Sequence, residues 1–213
     1  MPAPTFTDGT VGNVLNAVSV AKGATIAAFL DLSTTIEGQL ALDVQAGATP
    51  PTVATAFSAY KAQAAYHSGT PVLTLGAAVT AGTASTTLTV ASQNATTGLR
   101  AGEQIALVSQ STLVGELVTI TSVAGSGPYT VGITGAGANS GTLNNYSASP
   151  ADYVFVMVQT PTSAVTPTIP AANKGNSAPL YLGTGRYVVA ASNPDAAQGV
   201  TVTVTLDRVP SYA

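Results

Sequence analysis

Val200, Val202, Val204 and Leu206 alternate without interruption with Thr201, Thr203 and Thr205. Successive side chains of a strand point to opposite faces, so this segment carries aliphatics on one face and hydroxyls on the other: a half-buried antiparallel strand. The same period of two sets Leu40, Leu42 and Val44 against Gln39, Ala41 and Asp43, and Tyr129, Val131 and Ile133 against Thr130, Gly132 and Thr134. Further short strands are expected over Thr25 to Leu32, Val53 to Ala62, Thr86 to Val90, Gln104 to Ser109, Glu116 to Val123, Tyr153 to Gln159 and Arg186 to Ala191. Turn-rich segments separate them, drawing on 21 glycines and 13 prolines, a pattern that favours sandwiches and barrels over helical folds. The one rival helix runs from Thr52 to Tyr66, where alanines favour helix and Val53, Phe57, Tyr60 and Ala64 fit a helical face. Strand is the reading kept there.

Two punctuated joints, His67-Ser68-Gly69-Thr70-Pro71 and Tyr146-Ser147-Ala148-Ser149-Pro150, each end in a proline that discourages continuation of the preceding element. They bracket enough strands for a small domain. The expected fold is therefore all-β: an antiparallel β-sandwich built from residues 24–67 and 151–213, with a second small β-barrel or β-sandwich domain, 68–150, inserted into one of its loops. Two consecutive domains, or one elongated sandwich, are the alternatives. Residues 1–23 form a less patterned N-terminal arm that is expected to dock on a neighbour or fray. Thr160 to Pro179, with Pro161, Pro167 and Pro170, reads as a surface loop or contact arm. Near the N-terminal end, Asp31 and Asp43 are expected to flank a hairpin through Ser33-Thr34-Thr35.

Charge decides which partners are open to such a chain. Only 7% of residues are charged, against roughly a quarter in an ordinary soluble domain, and 46% are apolar with a net charge of −3. So few charges do little to hold exposed faces apart, which favours self-association or a partner-covered surface. Plentiful Thr, Ser, Asn and Gln offer the other route, a monomer hydrated without charge. The six cations, Lys22, Lys61, Arg100, Lys174, Arg186 and Arg208, are scattered singly and form no stripe for phosphates, so no nucleic acid is expected. No apolar run approaches the roughly 18 residues of a membrane span, and Lys22 comes too late for a signal-peptide n-region. Synthesis in a cytoplasm, with no membrane partner, is the expectation. The chain has no cysteine, hence neither disulfides nor thiolate metal sites. Asn94-Ala95-Thr96 and Asn145-Tyr146-Ser147 match the glycosylation sequon by chance in so Asn- and Thr-rich a chain.

Each search for chemistry ends on a plainer reading. A Ser-His-Asp triad needs an imidazole, and the lone histidine, His67, sits in a turn without a nucleophile elbow. Asp31, Glu37 and Asp43 lie close enough in sequence to raise paired-carboxylate glycoside hydrolysis, but read as edge or turn charges that discourage strand pairing. Asn193, Asp195 and Gln198 come nearest to an oxygen-only calcium site; their loop, Ser192 to Gly199, lacks the regular acidic spacing and reads as a hairpin connection. Gly135-Ala136-Gly137-Ala138-Asn139-Ser140-Gly141 has glycines but no Lys and no following helix, so it is no phosphate loop. No catalytic, cofactor-binding or metal-binding residue is assigned, and the chain is expected not to be an enzyme. Tyr129, Tyr146 and Tyr153 remain as candidate stacking faces for a sugar.

The stretch Leu180-Tyr181-Leu182-Gly183-Thr184-Gly185-Arg186-Tyr187-Val188-Val189-Ala190-Ala191-Ser192-Asn193, followed by Gly199 to Asp207, resembles the β-sandwich domains of bacteriophage virion accessory proteins. Lys22-Gly23-Ala24-Thr25 through Leu32, then Glu37 to Val44, is similar to their opening strands. Leu99-Arg100-Ala101-Gly102-Glu103-Gln104-Ile105 and Gly115 to Val123 resemble small β modules of phage head and tail proteins. The resemblance implies a structural virion protein, first a capsid decoration or cement protein that binds the major capsid protein or other virion structural proteins in many copies, with homo-oligomer formation. A neck or tail structural protein is the second reading. A carbohydrate-binding module on a tail or cell surface is the third.

Overall fold

A computed structural model describes residues 6–8, 12–63, 66–67, 70–71, 73–80, 87–91, 99–109, 112–134, 144–149, 152–157, 163–165, 175–208 and 210–212. They form fifteen strands and, among the described residues, no helix. In chain order these are β1 (Phe6–Asp8), β2 (Gly12–Val20), β3 (Thr25–Ala46), β4 (Ala56–Gln63), β5 (Tyr66–His67), β6 (Thr70–Pro71), β7 (Thr87–Val90) and β8 (Gln104–Val108). There follow β9 (Val114–Ala124), β10 (Tyr129–Thr134), β11 (Tyr153–Met157), β12 (Ser163–Val165), β13 (Gly175–Ser192), β14 (Val200–Arg208) and β15 (Pro210–Tyr212). Every pairing is antiparallel, and thirteen strands belong to one hydrogen-bonded network, with β5 and β6 paired apart from it.

The organising element is β3. It runs unbroken for 22 residues and pairs with β13 from Thr25↔Ser192 to Gln45↔Gly175. The hairpin expected at Ser33-Thr34-Thr35 is not there; the register instead shifts opposite Gly183 and Gly185. Drawn straight, β3 would span about 70 Å. Yet Ser192 pairs with Thr25 at one end of β3, and Val200 pairs with Ala46 at the other. The connection Asn193–Gly199 reaches roughly 30 Å at most, so β3 and β13 fold back together. Gly185, at φ +148°, takes a backbone conformation open to glycine at this shift. The apolar faces agree: Ala28 and Leu32 from the first half of β3 pack in one cluster with Leu40, Leu42 and Val44 from the second. Phe57, Val189 and Val202 complete it.

A second feature was not expected. The pairings β3–β13, β13–β4, β4–β11, β11–β8, β8–β9 and β9–β3 close a circuit of six strands. Its interior is filled by Ala27 and Phe29 of β3, Ala106 and Val108 of β8, Leu117 of β9, and Val188 and Ala190 of β13. These alternate along each strand with residues that belong to the clusters outside the ring. The walls β8 and β13 are therefore buried on both faces, which is why Ile105-Ala106-Leu107-Val108 and Tyr187 to Ala191 are continuous apolar runs without alternation. Outside β8 and β9 a further cluster gathers Leu73, Leu88, Val90, Ile105, Val118, Ile120, Val131, Tyr146 and Val154.

Several expectations are corrected by this plan. Of the strand read over Val53 to Ala62, the part from Ala56 onward lies in β4, Val53–Thr55 precede it, and no helix forms there. Residues 12–20 of the supposed loose arm are β2, hydrogen-bonded to β14 of the same chain. Part of the expected loop 160–179 is strand: β12 lies beside β4, and β13 begins at Gly175. Pairings also join the segment 68–150 to the rest of the chain: β9 pairs β8 and β10 and reaches β3, while β11, beyond the second joint, pairs with β8.

Candidate functional site

The polar groups singled out from the sequence are mostly structural. Asp31 pairs across the strands with Arg186, its Oδ2 3.0 Å from Nε, on a part-exposed face. Asp43 accepts from Gln45 Nε2 at 3.1 Å, twelve positions further along the same folded strand. The side chains of Glu37, His67 and Tyr153 lie outside the described residues, as does the glycine loop 135–141. Among the described residues no three His, Cys, Asp or Glu side chains gather as a metal site.

The Ser192–Gly199 loop, the nearest approach to a calcium site in the sequence, is a knot of hydrogen bonds. Asp195 is fully buried, and its carboxylate accepts from the amides of Ala197 (2.8 Å) and Gln198 (2.7 Å) and from Thr52 N (2.6 Å), Thr52 Oγ1 (2.8 Å) and Val53 N (3.2 Å). These donors hold its pKa well below the usual carboxylate range, the Gln198 amide contributing most. Asn193 is equally buried; its Nδ2 donates to the carbonyls of Val20 (3.3 Å), Ala21 (3.3 Å) and Gln198 (2.9 Å). The Asp195 carboxylate ties the segment around residue 52 to this loop, and the Asn193 amide ties the segment around residue 20 to it. The Ser192–Gly199 connection is accordingly an arch between the two ends of β3, not a hairpin.

Sequence reasoning passed over Glu116. It is wholly buried on β9, and its Oε1 accepts from Asn144 N at 3.1 Å and from the Tyr146 hydroxyl at 2.9 Å. Burial, reinforced by the Glu116 charge, raises the Tyr146 pKa far above its ordinary value. The available signal was parity: Glu116 is in phase with Val118 and Ile120, both buried. Tyr146 is thus a core residue, not a stacking face, and Tyr129 packs half-buried against the same cluster.

An open cavity of about 300 Å³ lies at the mouth of the six-strand circuit. Each contributing strand supplies a polar residue at the mouth and apolar ones below: Thr25 above Ala27 and Phe29, Ser192 above Ala190 and Val188, Gln104 above Ala106 and Val108, and Thr119 above Leu117. Ser58 and Tyr60 of β4 and Thr134 of β10 complete the polar lining. Thr25 Oγ1 donates to Ser192 Oγ at 3.0 Å, and Thr134 Oγ1 to the Thr119 carbonyl at 3.4 Å. Among the described residues no Asp, Glu, Lys, Arg or His lines it; these residues offer hydrogen bonds and one aromatic ring, and none of them is a general acid or base at neutral pH. A second cavity, about 290 Å³, lies beside the β3–β9 seam and is lined mainly by aliphatic residues such as Val18, Val20 and Ile26. No protein-family model, curated protein or solved structure matches the chain.

Proposed function

We propose that this chain is a non-enzymatic structural protein of a bacteriophage virion, a capsid decoration or cement protein that binds the major capsid protein in many copies. The observation that carries the reading is the scarcity of charge, 7% of residues, combined with where the buried carboxylates go. Glu116, Asp152 and Asp195 are all buried, and each accepts hydrogen bonds from a nearby loop. A surface this poor in charge suits permanent contact with neighbouring subunits. The resemblance of Leu180 to Asn193 to phage virion accessory proteins, and of Leu99 to Ile105 to small β modules of phage head and tail proteins, supplies the assembly. A neck or tail position is the second form of the same reading.

The finer architecture belongs to this proposal. Residues 24–67 and 151–213 form a sandwich that grips the shell, and 68–150 forms a module that projects from it. Support comes from the division of the apolar residues, one cluster drawn from Leu15–Ala59 and Leu180–Val204, another from Leu73–Val154. The fold-back of β3 supports two stacked layers in the first. Quantitative mass spectrometry of purified particles tests the function: a copy number comparable to the major capsid protein is expected. A handful of copies would move the chain to the neck or tail, and its absence from particles would refute the proposal.

A further inference from the structure

We infer that the mouth of the six-strand circuit is a binding site for a neutral saccharide ring. The inference stands apart from any role in a virion, since it rests on the cavity alone.

The size sets the first bound. About 300 Å³ lies at the lower end of small-molecule sites, which favour the mouths of β-barrels; it admits one sugar ring and not an extended peptide. Chemistry sets the second. The rim presents the hydroxyls of Thr25, Ser58, Thr119 and Ser192 and the amide of Gln104, each able both to donate and to accept. A polyol, whose hydroxyls also do both, satisfies such a rim in many orientations, whereas among the described residues a carboxylate or phosphate finds no cation there and an ammonium finds no anion. Below the rim lie Leu117 and Ala190, buried and apolar, with the half-buried ring of Tyr60 beside them. A pyranose has the same division, with C–H faces that pack on aromatic and aliphatic surface and an equator of hydroxyls. Preorganisation is built in, because the rim residues stand on strands fixed by ladder hydrogen bonds rather than on loops.

The test titrates the full chain, labelled for amide NMR, with glucose, galactose, mannose and N-acetylglucosamine, and in parallel with glucuronate and glucosamine. Saturable shifts are expected for at least one neutral sugar, confined to amides around Thr25, Ser58, Gln104, Thr119 and Ser192. The charged analogues should bind at least about tenfold more weakly, the cost of bringing an unpaired charge into the cavity exceeding 1.4 kcal/mol. Ser58→Leu, which fills the mouth, should abolish the shifts. Gln104→Ala, which leaves the apolar floor intact, should weaken binding while the spectrum keeps its native dispersion, so a misfolded first variant does not spare the inference. No saturable shift with any neutral sugar overturns it. So do shifts centred elsewhere, equal binding of glucuronate or glucosamine, and unchanged affinity in a folded Gln104→Ala chain.

Discussion

Asp195 takes hydrogen bonds from four backbone amides, those of Thr52, Val53, Ala197 and Gln198, and from the Thr52 hydroxyl, and so fastens the entry to β4 against the arch between β13 and β14. Replacing it with asparagine turns one acceptor oxygen into a donor that faces N–H groups, so Asp195→Asn should lower Tm measurably while the circular dichroism keeps its β signature. The acid side has a definite sign. Because the folded pKa is depressed below the ordinary value of about 3.9, this carboxylate stabilises the fold above that pH and its contribution is lost as pH falls further. Acid unfolding of the wild type should therefore steepen below about pH 4, and Asp195→Asn should flatten that dependence. Equal pH profiles for the two proteins would show that the carboxylate charge is not what the loops bind. The trio Asn193, Asp195 and Gln198 was legible in the sequence as a cluster of polar groups in one loop. Its purpose was not, because the donors that fill Asp195 come in part from residue 52, far away in the chain.

At the scale of elements, β9 closes the circuit: it pairs β8 and β10 and also touches β3, through Gly115↔Ala27 and its neighbours. On its other side β8 passes so close that a Cβ on Gly115 would overlap the Leu107 carbonyl oxygen. Gly115→Ala should cost on the order of 1–3 kcal/mol or more, as overpacking against rigid backbone does, and urea melts should register it as a lower midpoint. A variant as stable as the wild type would mean that the β8 backbone does not lie this close to β9 at Gly115. The strands with clean alternation, β10 and β14, were readable because one face of each is solvated. By contrast β2 hid itself: Leu15 and Val20 are its buried residues, an odd number apart, since the register slips opposite Val202 and Val204 and Ala17 turns to φ 48°. The continuity of β3 was equally hidden, because Ser33-Thr34-Thr35 is chemically as good a turn as a bend. The mouth cavity left no local trace at all; its polar rim is assembled from single residues on six strands or strand entries and emerges only once their registers are known.

For the molecule as a whole, six cations in 213 residues leave little for ion pairing with a neighbour, so attachment to an assembly should depend on apolar contact and hydrogen bonds. Exposed Tyr181, Val53 and Leu113 are available apolar groups. Particles sedimented after washing in about 1 M NaCl, where the Debye length is about 3 Å, should keep this chain, and mild urea should release it; wholesale loss in salt alone would show long-range charge to be the glue. The fold-back of β3 carries a different kind of consequence, one of timing. A ribosome finishes residue 46 well before it begins residue 175, yet β13 and β14 are the partners that cover β3 along most of its length. Until they are made, 22 residues of strand stand with both edges largely open, the condition in which nascent chains pair with the wrong neighbour. Such a protein folds late, after most of it has been synthesised, and in a crowded cell its yield is governed by how well that interval is protected.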